Sequence, residues 1–582
     1  MQQIRLTIIA LIVTFTPFAN AFGADGKFPE LPAILLLLND GQPSAPPVIG
    51  CTEPAGPITA SNAAKFLTQA TFGPTEATIN SLVSQNNLCA WIDQQLRLPI
   101  SRTLPFVRAN SNGSLRTTRH FIWWENALQG SDQLRQRVAF ALSQIFVISD
   151  LDYELGNSQY GVSDFYDMLA ENAFGNYREL LEKVTLHPTM GIYLGMVRNQ
   201  KANPSLLIRP DENYAREVLQ LFSIGLYDLD QSGQALPLSS PVDSYNQSTV
   251  ENFARVFTGW NFADSPGIWS SNDFTSYDKT LTMVADFNPR PPNSFHDTGA
   301  KTLLNGRVLS SSNGFSNPTQ RDLSLALDNI ANHPNVPPFI SKLLIQRLTT
   351  SNPSPSYVRR VADVFVNNGQ GERGDLRAVV QAILLDDEAR RGKAVNANFG
   401  KVKEPLLQLT QLWRAFDAQP GPDANGEYRL RAKASGVIDE ILGQAVLRSP
   451  SVFNFFLPDN PLGSGLNASL VSPEIQILTD ANVASMHNAF HSQIYNYSNF
   501  DDVGWNVPMQ INLQRAVNLA NNTDALLDYL DRLLLSSDMP PAMRSALKSH
   551  LEALPDTGNL ALDRARDAVF IIIASPQYMI QD

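Results

Sequence analysis

Apolar side chains return every three or four residues along most of this chain, which is the period of an amphipathic helix. The pattern is found in residues 77–96, 132–149, 164–187, 247–262, 336–350, 356–368, 375–390, 401–416, 474–495 and 564–579. Alternating apolar and polar positions, which indicate strands, are scarce by comparison. The sequence therefore predicts a mainly α, multi-helix protein. Two packed lobes are expected, because a chain of about 560 residues exceeds one ordinary core.

Three segments interrupt the helical pattern. Residues 262–310 are rich in polar, aromatic and proline residues, which predicts an irregular insertion. Within it, residues 280–287 and 301–309 have strand-like sequences that could pair as a small β-hairpin. Residues 417–428 and 457–475 are predicted to be long loops, the kind of segment that is either disordered or functional.

The amino terminus has the order of a secretory signal peptide. Arg5 precedes an apolar run that ends near Phe18, and the small residues of Ala19-Asn20-Ala21 follow. The run is too short to span a bilayer comfortably, so we expect residues 1–21 to be cleaved and the protein to reach the periplasm or the medium. Residues 22–58 are rich in Pro, Gly and Ser and predict a tether, which leaves residues 59–582 for the helical domain.

The charge and the cysteine content of the chain limit the kinds of partner and cofactor that it can bind. The formal charge is −12, and loss of Arg5 with the signal peptide makes it −13. Such a chain has no excess of cations to neutralise phosphates, which excludes a nucleic-acid partner. Cys51 and Cys89 could form a disulfide in an oxidising compartment, but the sequence leaves the pairing open. The spacings of common metal and cofactor sites are absent, so no metal and no cofactor are predicted.

The segment RPDENYAREVLQLFSIG, residues 209–225, predicts a short helix with charge beside its buried face. Its apolar face consists of Tyr214, Val218, Leu221 and Phe222. Two polar pairs with helical spacing flank that face, namely Glu212 with Arg216 and Asn213 with Glu217. Such pairs are typical of a solvated helix flank. They would suit a charged network in a cleft as well.

This segment resembles the Asn-Glu-Asn-Tyr-Ala-Arg-Glu signature of a bacterial family, domain of unknown function 1800. Further blocks resemble the family in the same order, at residues 66–75, 135–149, 171–194, 253–262, 295–306, 333–348, 374–390, 401–409 and 449–461. The resemblance covers roughly residues 60 to 580. It implies a helical, exported protein, often encoded beside the exported domain of unknown function 1501, and it carries no established reaction. Asp211 and Gln220 stand where the family often has asparagine and glutamate.

Other blocks supply further candidate residues. His187 and His333 each precede a proline at a helix boundary, which favours a capping role. His296, Asp297 and Lys301 lie in the glycine-containing segment FHDTGAKT, where a loop on a helical scaffold could position them for chemistry. Lys403 and Glu404 open a helix and could form an ion pair, either at the surface or inside a cleft.

These candidates support two main hypotheses. The first is an exported enzyme acting on an envelope or extracellular glycan. In it Glu212 or Glu217 supplies an acid or base, and His296 transfers protons. Arg216 and Lys301 would bind anionic groups.

The second hypothesis is a non-catalytic binding or assembly protein that works with another exported protein. Arg216 would then belong to a buried network, and its truncation would cost about 3–5 kcal/mol. A third, weaker hypothesis is glycan binding through exposed aromatic residues such as Trp269, Tyr277 and Trp505.

Overall fold

A computed structural model describes residues 50–110, 114–263, 278–285, 295–420, 442–463, 470–495 and 509–582. The predicted signal peptide and most of the predicted tether lie outside these ranges. So do Trp269, Tyr277 and Trp505, and parts of both predicted long loops.

Helices dominate the described residues, which confirms the mainly α prediction. They are α1 (Ala60–Ala70), α2 (Glu76–Gln85), α3 (Leu88–Arg97), α4 (Leu104–Ala109), α5 (Leu115–Gln129), α6 (Gln133–Ser143), α7 (Tyr153–Gly156), α8 (Gln159–Glu171), α9 (Tyr177–Leu186), α10 (Pro188–Tyr193), α11 (Asn213–Gln220), α12 (Gln247–Val256), α13 (Pro318–Ala331), α14 (Val336–Leu348), α15 (Pro355–Val366), α16 (Leu376–Leu385), α17 (Asp387–Arg391), α18 (Pro405–Ala415), α19 (Asp480–Tyr495), α20 (Gln514–Leu519), α21 (Thr523–Leu534), α22 (Pro541–Ala553), α23 (Leu560–Ile573) and α24 (Pro576–Met579).

Asparagine residues divide the longest predicted helical runs. The run 77–96 forms two helices, because Asn86 takes a left-handed conformation with φ 48° and the side chain of Asn87 accepts a hydrogen bond from the backbone N–H of Ala90. The run 164–187 is divided in the same way, since the side chain of Asn176 caps α9. Asparagine suits both places because it tolerates left-handed backbone and caps helices well.

The described strands are short and form antiparallel pairs. These pairs are β1 (Trp260–Asn261) with β2 (Val284–Ala285), β3 (Lys301–Thr302) with β4 (Val308–Leu309), β5 (Lys401–Val402) with β8 (Ile580–Gln581), and β6 (Gln419–Pro420) with β7 (Met509–Gln510). The predicted pairing of residues 280–287 with 301–309 is therefore wrong. Residues 301–309 pair with themselves around a turn at Leu304–Gly306, and such a short loop costs less closure entropy than a distant partner.

Aromatic side chains mark the centre of the helical core. Phe72 packs edge to face on Trp123, with ring centroids 5.5 Å apart, and Phe140 of α6 contacts both rings. Trp413 of α18 packs against Trp124 at 5.1 Å. The residues Pro47–Asp582 form one compact unit, and the two predicted lobes are not confirmed.

A disulfide fastens the start of the described chain. Cys51 is bonded to Cys89 in α3. The carboxylate of Glu53 accepts hydrogen bonds from the backbone N–H groups of Leu88 and Cys89, at 2.7 and 2.9 Å. The end of the predicted tether is thus attached to the amino terminus of α3.

Within the described ranges, no helix has the length and the apolar content needed to cross a bilayer.

Candidate functional site

The charged helix of the signature segment is α11, and its apolar face is buried. Tyr214, Val218 and Phe222 are each at most 1% exposed. The hydroxyl of Tyr214 donates to Thr185 Oγ1 at 2.7 Å. The helix begins at Asn213, so Pro210 precedes it and Glu212 occupies the N-cap position.

The Glu212–Arg216 pair lies at the protein surface. Arg216 Nη2 is 3.2 Å from Glu212 Oε2, and the two side chains are 41% and 35% exposed. Gln247, the first residue of α12, donates to the same carboxylate at 2.8 Å. A pair of this kind is worth about 0.2–0.5 kcal/mol. The expectation that Arg216 belongs to a buried network is therefore wrong, because its head group reaches solvent.

The second pair of the signature helix does not form. Asn213 is exposed, whereas Glu217 is only 6% exposed. Among the described residues, Glu217 Oε2 has no hydrogen-bond partner. Burial raises the pKa of Glu217, although the nearby Arg216 opposes this shift.

The segment FHDTGAKT is held by a closed set of ionic contacts. His296 is 3.3 Å from Asp322 Oδ2 through Nε2, and its Nδ1 contacts the carbonyl oxygen of Thr258 at 2.8 Å. Lys301 Nζ donates to Asp322 Oδ2 at 2.8 Å and is fully buried. Burial alone would raise the pKa of Asp322, but His296 and Lys301 hold it well below its usual range.

Asp297 completes this arrangement by binding Arg255 of α12 through two hydrogen bonds of 2.8 and 3.0 Å. The backbone N–H of Gly299 also donates to Asp297, at 2.9 Å. Because each of these charged groups already has a partner inside the protein, the contacts favour a structural role for His296, Asp297 and Lys301.

His187 lies at the junction of α9 and α10. Its Nδ1 accepts a hydrogen bond from the backbone N–H of Thr189 at 3.3 Å, and its Nε2 is 3.3 Å from Asp164 Oδ2. The imidazole therefore caps the start of α10 rather than the carbonyl groups that end α9.

The contacts of the described residues connect some of the candidates through α12. Gln247, which binds Glu212, opens α12, and Arg255, which binds Asp297, lies eight residues later on the same helix. Eight helical residues span about 12 Å. His187 and Lys403 have other partners altogether. A single cleft holding all the candidates is not supported.

Lys403 and Glu404 are both buried, at 3% and 0% exposure, so a surface ion pair is the wrong interpretation. They do not pair with each other. Glu404 Oε2 accepts hydrogen bonds from Gln144 and Gln444. Glu404 Oε1 lies 3.9 Å from the ammonium of Lys401.

Glu404 belongs to a set of buried charges, here called the core ionic cluster. Its members are Arg137, Arg347, Lys401, Glu404 and Glu474, each at most 3% exposed. Lys401 Nζ is 3.0 Å from Glu474 Oε1, and Arg137 donates to the backbone carbonyl of Arg347 at 2.6 Å. Three cations therefore share two carboxylates in the interior.

Lys403, two residues from Lys401 in the sequence, instead lines a polar cavity, here called the lysine cavity. Its volume is about 450 Å³. The charged side chains that line it are Lys65, Arg391, Lys393, Lys403, Asp538 and Asp582. Uncharged polar residues complete the lining, among them Ser61, Thr68, Gln411, Ser536, Ser537 and Gln577.

Lys403 contributes an amine without a counterion to the lysine cavity. Its Nζ donates to Gln411 Oε1 at 2.6 Å and lies 3.9 Å from the centre of the Tyr578 ring. No carboxylate of the described residues is within ion-pair distance of it. Burial lowers the pKa of Lys403 to about 7, although Asp582 opposes the shift.

Lys65 of α1 is a second lysine in the lining of the lysine cavity. It is half-buried, and no described carboxylate forms an ion pair with it. Burial lowers its pKa, while Asp582 and Asp538 oppose the shift. By contrast, Lys393 is paired with Asp582 at 2.6 Å and Arg391 with Asp387 at 3.2 Å. The lysine cavity thus presents two lysines that lack a carboxylate partner.

Residues 65–580 match a family model described as "Protein of unknown function (DUF1800)". The chain belongs to the DUF1800 family. Neither a curated protein nor a solved structure matches it. Both Lys65 and Lys403 fall within the matched residues, so the DUF1800 domain itself carries the unpaired lysines of the cavity.

Sequence reasoning found Lys403 but missed Lys65, Asp538 and Asp582. Lys65 is a lone cation on the apolar helix α1, and nothing in its neighbourhood predicts a distant partner. The sequence signal that could have found it is a lysine placed directly between two apolar residues, Ala64 and Phe66. The structure buries both of these neighbours fully.

Proposed function

We propose that this DUF1800 protein is exported and that its lysine cavity binds a small hydroxylated acid, such as a sugar acid derived from an envelope or extracellular glycan. The observation that carries this proposal is that two lysines in the lining of one cavity, Lys65 and Lys403, have no carboxylate partner among the described residues.

Because neither lysine has a counterion among the described residues, an anion entering the cavity would be stabilised there. A buried ammonium group without a partner is costly, and the cost falls when an anion enters beside it. A carboxylate ligand would provide this anion for both lysines. The cavity volume of about 450 Å³ is within the range of about 300–1,000 Å³ that is usual for small-molecule sites.

The uncharged part of the lining favours a ligand with hydroxyl groups. Ser536, Ser537 and Thr68 offer hydroxyls, and Gln577 offers an amide. These groups both donate and accept hydrogen bonds, as sugar hydroxyls do. Export is supported by the signal-peptide pattern of the sequence and by the Cys51–Cys89 disulfide, since disulfides persist mainly in oxidising compartments.

Binding fits the geometry better than glycan cleavage by Glu212 and Glu217. Glycoside hydrolysis needs two carboxyl groups facing one sugar. Residues five apart on a helix point about 140° away from each other, and only Glu217 of the two is buried. The hypothesis of a non-catalytic assembly protein expected Arg216 in a buried network. Because Arg216 is partly exposed, it does not support that hypothesis.

The proposal is tested by isothermal titration with D-gluconate, a sugar acid that lacks an aldehyde, and with D-glucitol as its neutral counterpart. We expect gluconate to bind and glucitol not to bind. Lys65→Met keeps the apolar stem but removes the charge, and should weaken gluconate binding about ten- to a hundredfold, as expected for a hydrogen bond between charged groups. Lys548→Met, which alters a surface lysine paired with Asp524, is the control. Equal affinities for gluconate and glucitol, or an unaffected Lys65→Met protein, would refute the proposal.

A further inference from the structure

We propose that Lys403 is a nucleophilic lysine that forms an imine with an aldehyde or ketone carrying an anionic group. This inference rests on the proposed function, because the anionic group of the ligand would be held by Lys65 in the same cavity.

Two other buried lysines among the described residues provide a comparison for Lys403. Lys301 and Lys401 are as inaccessible as Lys403, at 1%, 3% and 3% exposure. Lys301 has a carboxylate oxygen of Asp322 at 2.8 Å, and Lys401 has one of Glu474 at 3.0 Å. Burial lowers the pKa of both lysines, but these adjacent carboxylates oppose that shift and favour the ammonium form, which has no lone pair and cannot attack a carbonyl carbon.

Lys403 has no such partner among the described residues. Its polar contact is the amide oxygen of Gln411, which can accept an N–H group from a neutral amine as well as from an ammonium ion. A buried lysine without a counterion favours the neutral amine, the form used by nucleophilic lysines. The lowering of the pKa of Lys403 to about 7 agrees with this geometry.

The cavity also contains groups that can handle the protons of the reaction. Asp538 and Asp582 both line the cavity. Burial and the neighbouring Asp582 raise the pKa of Asp538, so Asp538 retains a proton more readily than a carboxyl group in water. Asp582 is close enough to Lys403 to affect its pKa.

The chemical step is balanced without a further reactant. The lone pair of Lys403 Nζ forms a bond to the carbonyl carbon, and the carbonyl oxygen becomes the hydroxyl of a carbinolamine. The two amine protons leave with this oxygen as water, and a C=N bond remains. Asp538 would give a proton to the departing hydroxyl and recover one from the nitrogen.

The test is reductive trapping on the intact protein. Glyoxylate, an aldehyde with a carboxylate, is added with sodium cyanoborohydride, whose hydride converts an imine to a stable secondary amine. Mass spectrometry of peptides then locates the adduct. We expect labelling of Lys403 to exceed that of Lys401 and Lys548 at least about tenfold, and to rise as the pH increases through about 7. Lys403→Arg should lose this label.

Each outcome separates this inference from the proposed function. Gluconate binding without an adduct at Lys403 overturns the imine and leaves the acid-binding function standing. An adduct at Lys403 that gluconate does not suppress shows a reactive amine but contradicts its place in an acid-binding site, and so overturns the joint proposal. Labels spread evenly over the surface lysines overturn the imine. Because the site is mapped in the parent protein, this result does not depend on the folding of Lys403→Arg.

Discussion

Replacing Asp150 by asparagine is expected to lower the free energy of unfolding by about 3–5 kcal/mol, as for breaking a buried ion pair. Asp150 is 2% exposed and is contacted by three guanidinium groups. Arg119, Arg448 and Arg116 lie 2.8, 2.9 and 3.0 Å from its carboxylate oxygens. The substitution keeps the side-chain shape but removes the negative charge that these cations share, so it creates no cavity.

The pH dependence of stability gives this prediction a second readout. Burial alone would raise the pKa of Asp150, but Arg119 and its neighbours hold it well below its usual range. A carboxylate with a lowered pKa in the folded state stabilises the protein above the pKa of the unfolded chain, about 4, and this contribution disappears on acidification. Asp150→Asn should therefore lose part of its acid sensitivity.

Urea denaturation at neutral and acidic pH measures both effects. The control is Asp524→Asn, because Asp524 also contacts two cations, Arg544 and Lys548, but does so in solvent. It should be nearly as stable as the parent. If Asp150→Asn lowered the free energy of unfolding no more than Asp524→Asn does, Asp150 would not be the stabilising counterion of the three arginines.

Replacing Glu404 by glutamine is expected to have an effect of similar size, about 3–5 kcal/mol. It would leave Arg137, Arg347 and Lys401 of the core ionic cluster with Glu474 as their nearest carboxylate. If the amide oxygen keeps accepting from Gln144 and Gln444, the new NH2 group faces the ammonium of Lys401, from which Glu404 Oε1 is 3.9 Å away. The loss of charge and the conflict between donors act in the same direction.

Glu212→Gln is the matched control for Glu404→Gln, since it makes the same chemical change in a surface pair. We expect Glu212→Gln to cost no more than about 0.5 kcal/mol. Chemical denaturation of both variants compares a residue from the signature helix with one from the interior. If Glu212→Gln lowered the free energy of unfolding more than Glu404→Gln does, the conclusion that the core ionic cluster stabilises the fold would be wrong.

The helical fold could be predicted from the sequence because the period of apolar residues is a local property. The residues at which individual helices begin and end were less predictable. Asn86 and Asn176 end or start helices inside runs whose apolar period continues, and the period alone carries no information about backbone conformation at such positions. The partner of residues 284–285 was missed for a related reason, since two-residue strands have no alternation to recognise.

The candidate site could be predicted only in part. The spacing of Glu212 and Arg216 identified a real pair, but spacing is the same for an exposed pair and a buried one. His296 and Lys301 were recognised as unusual, yet their partner Asp322 is brought to them by α13 and has no motif of its own. The lysine cavity joins α1 to the last residues of the chain. Proximity of that kind arises from tertiary packing and leaves no local pattern.

The most direct test of the lysine cavity is the pH dependence of D-gluconate affinity. Burial lowers the pKa of the free Lys403 to about 7, and a bound carboxylate favours the ammonium form and raises it again. Binding should then take up a proton, and the affinity should fall as the pH rises from about 6 to 8.5, approaching tenfold per unit above 7. In Lys403→Arg, whose guanidinium stays charged throughout, the affinity should be nearly constant. A titration in which the parent protein shows no change over this range, or in which gluconate does not bind at all, would contradict the assignment.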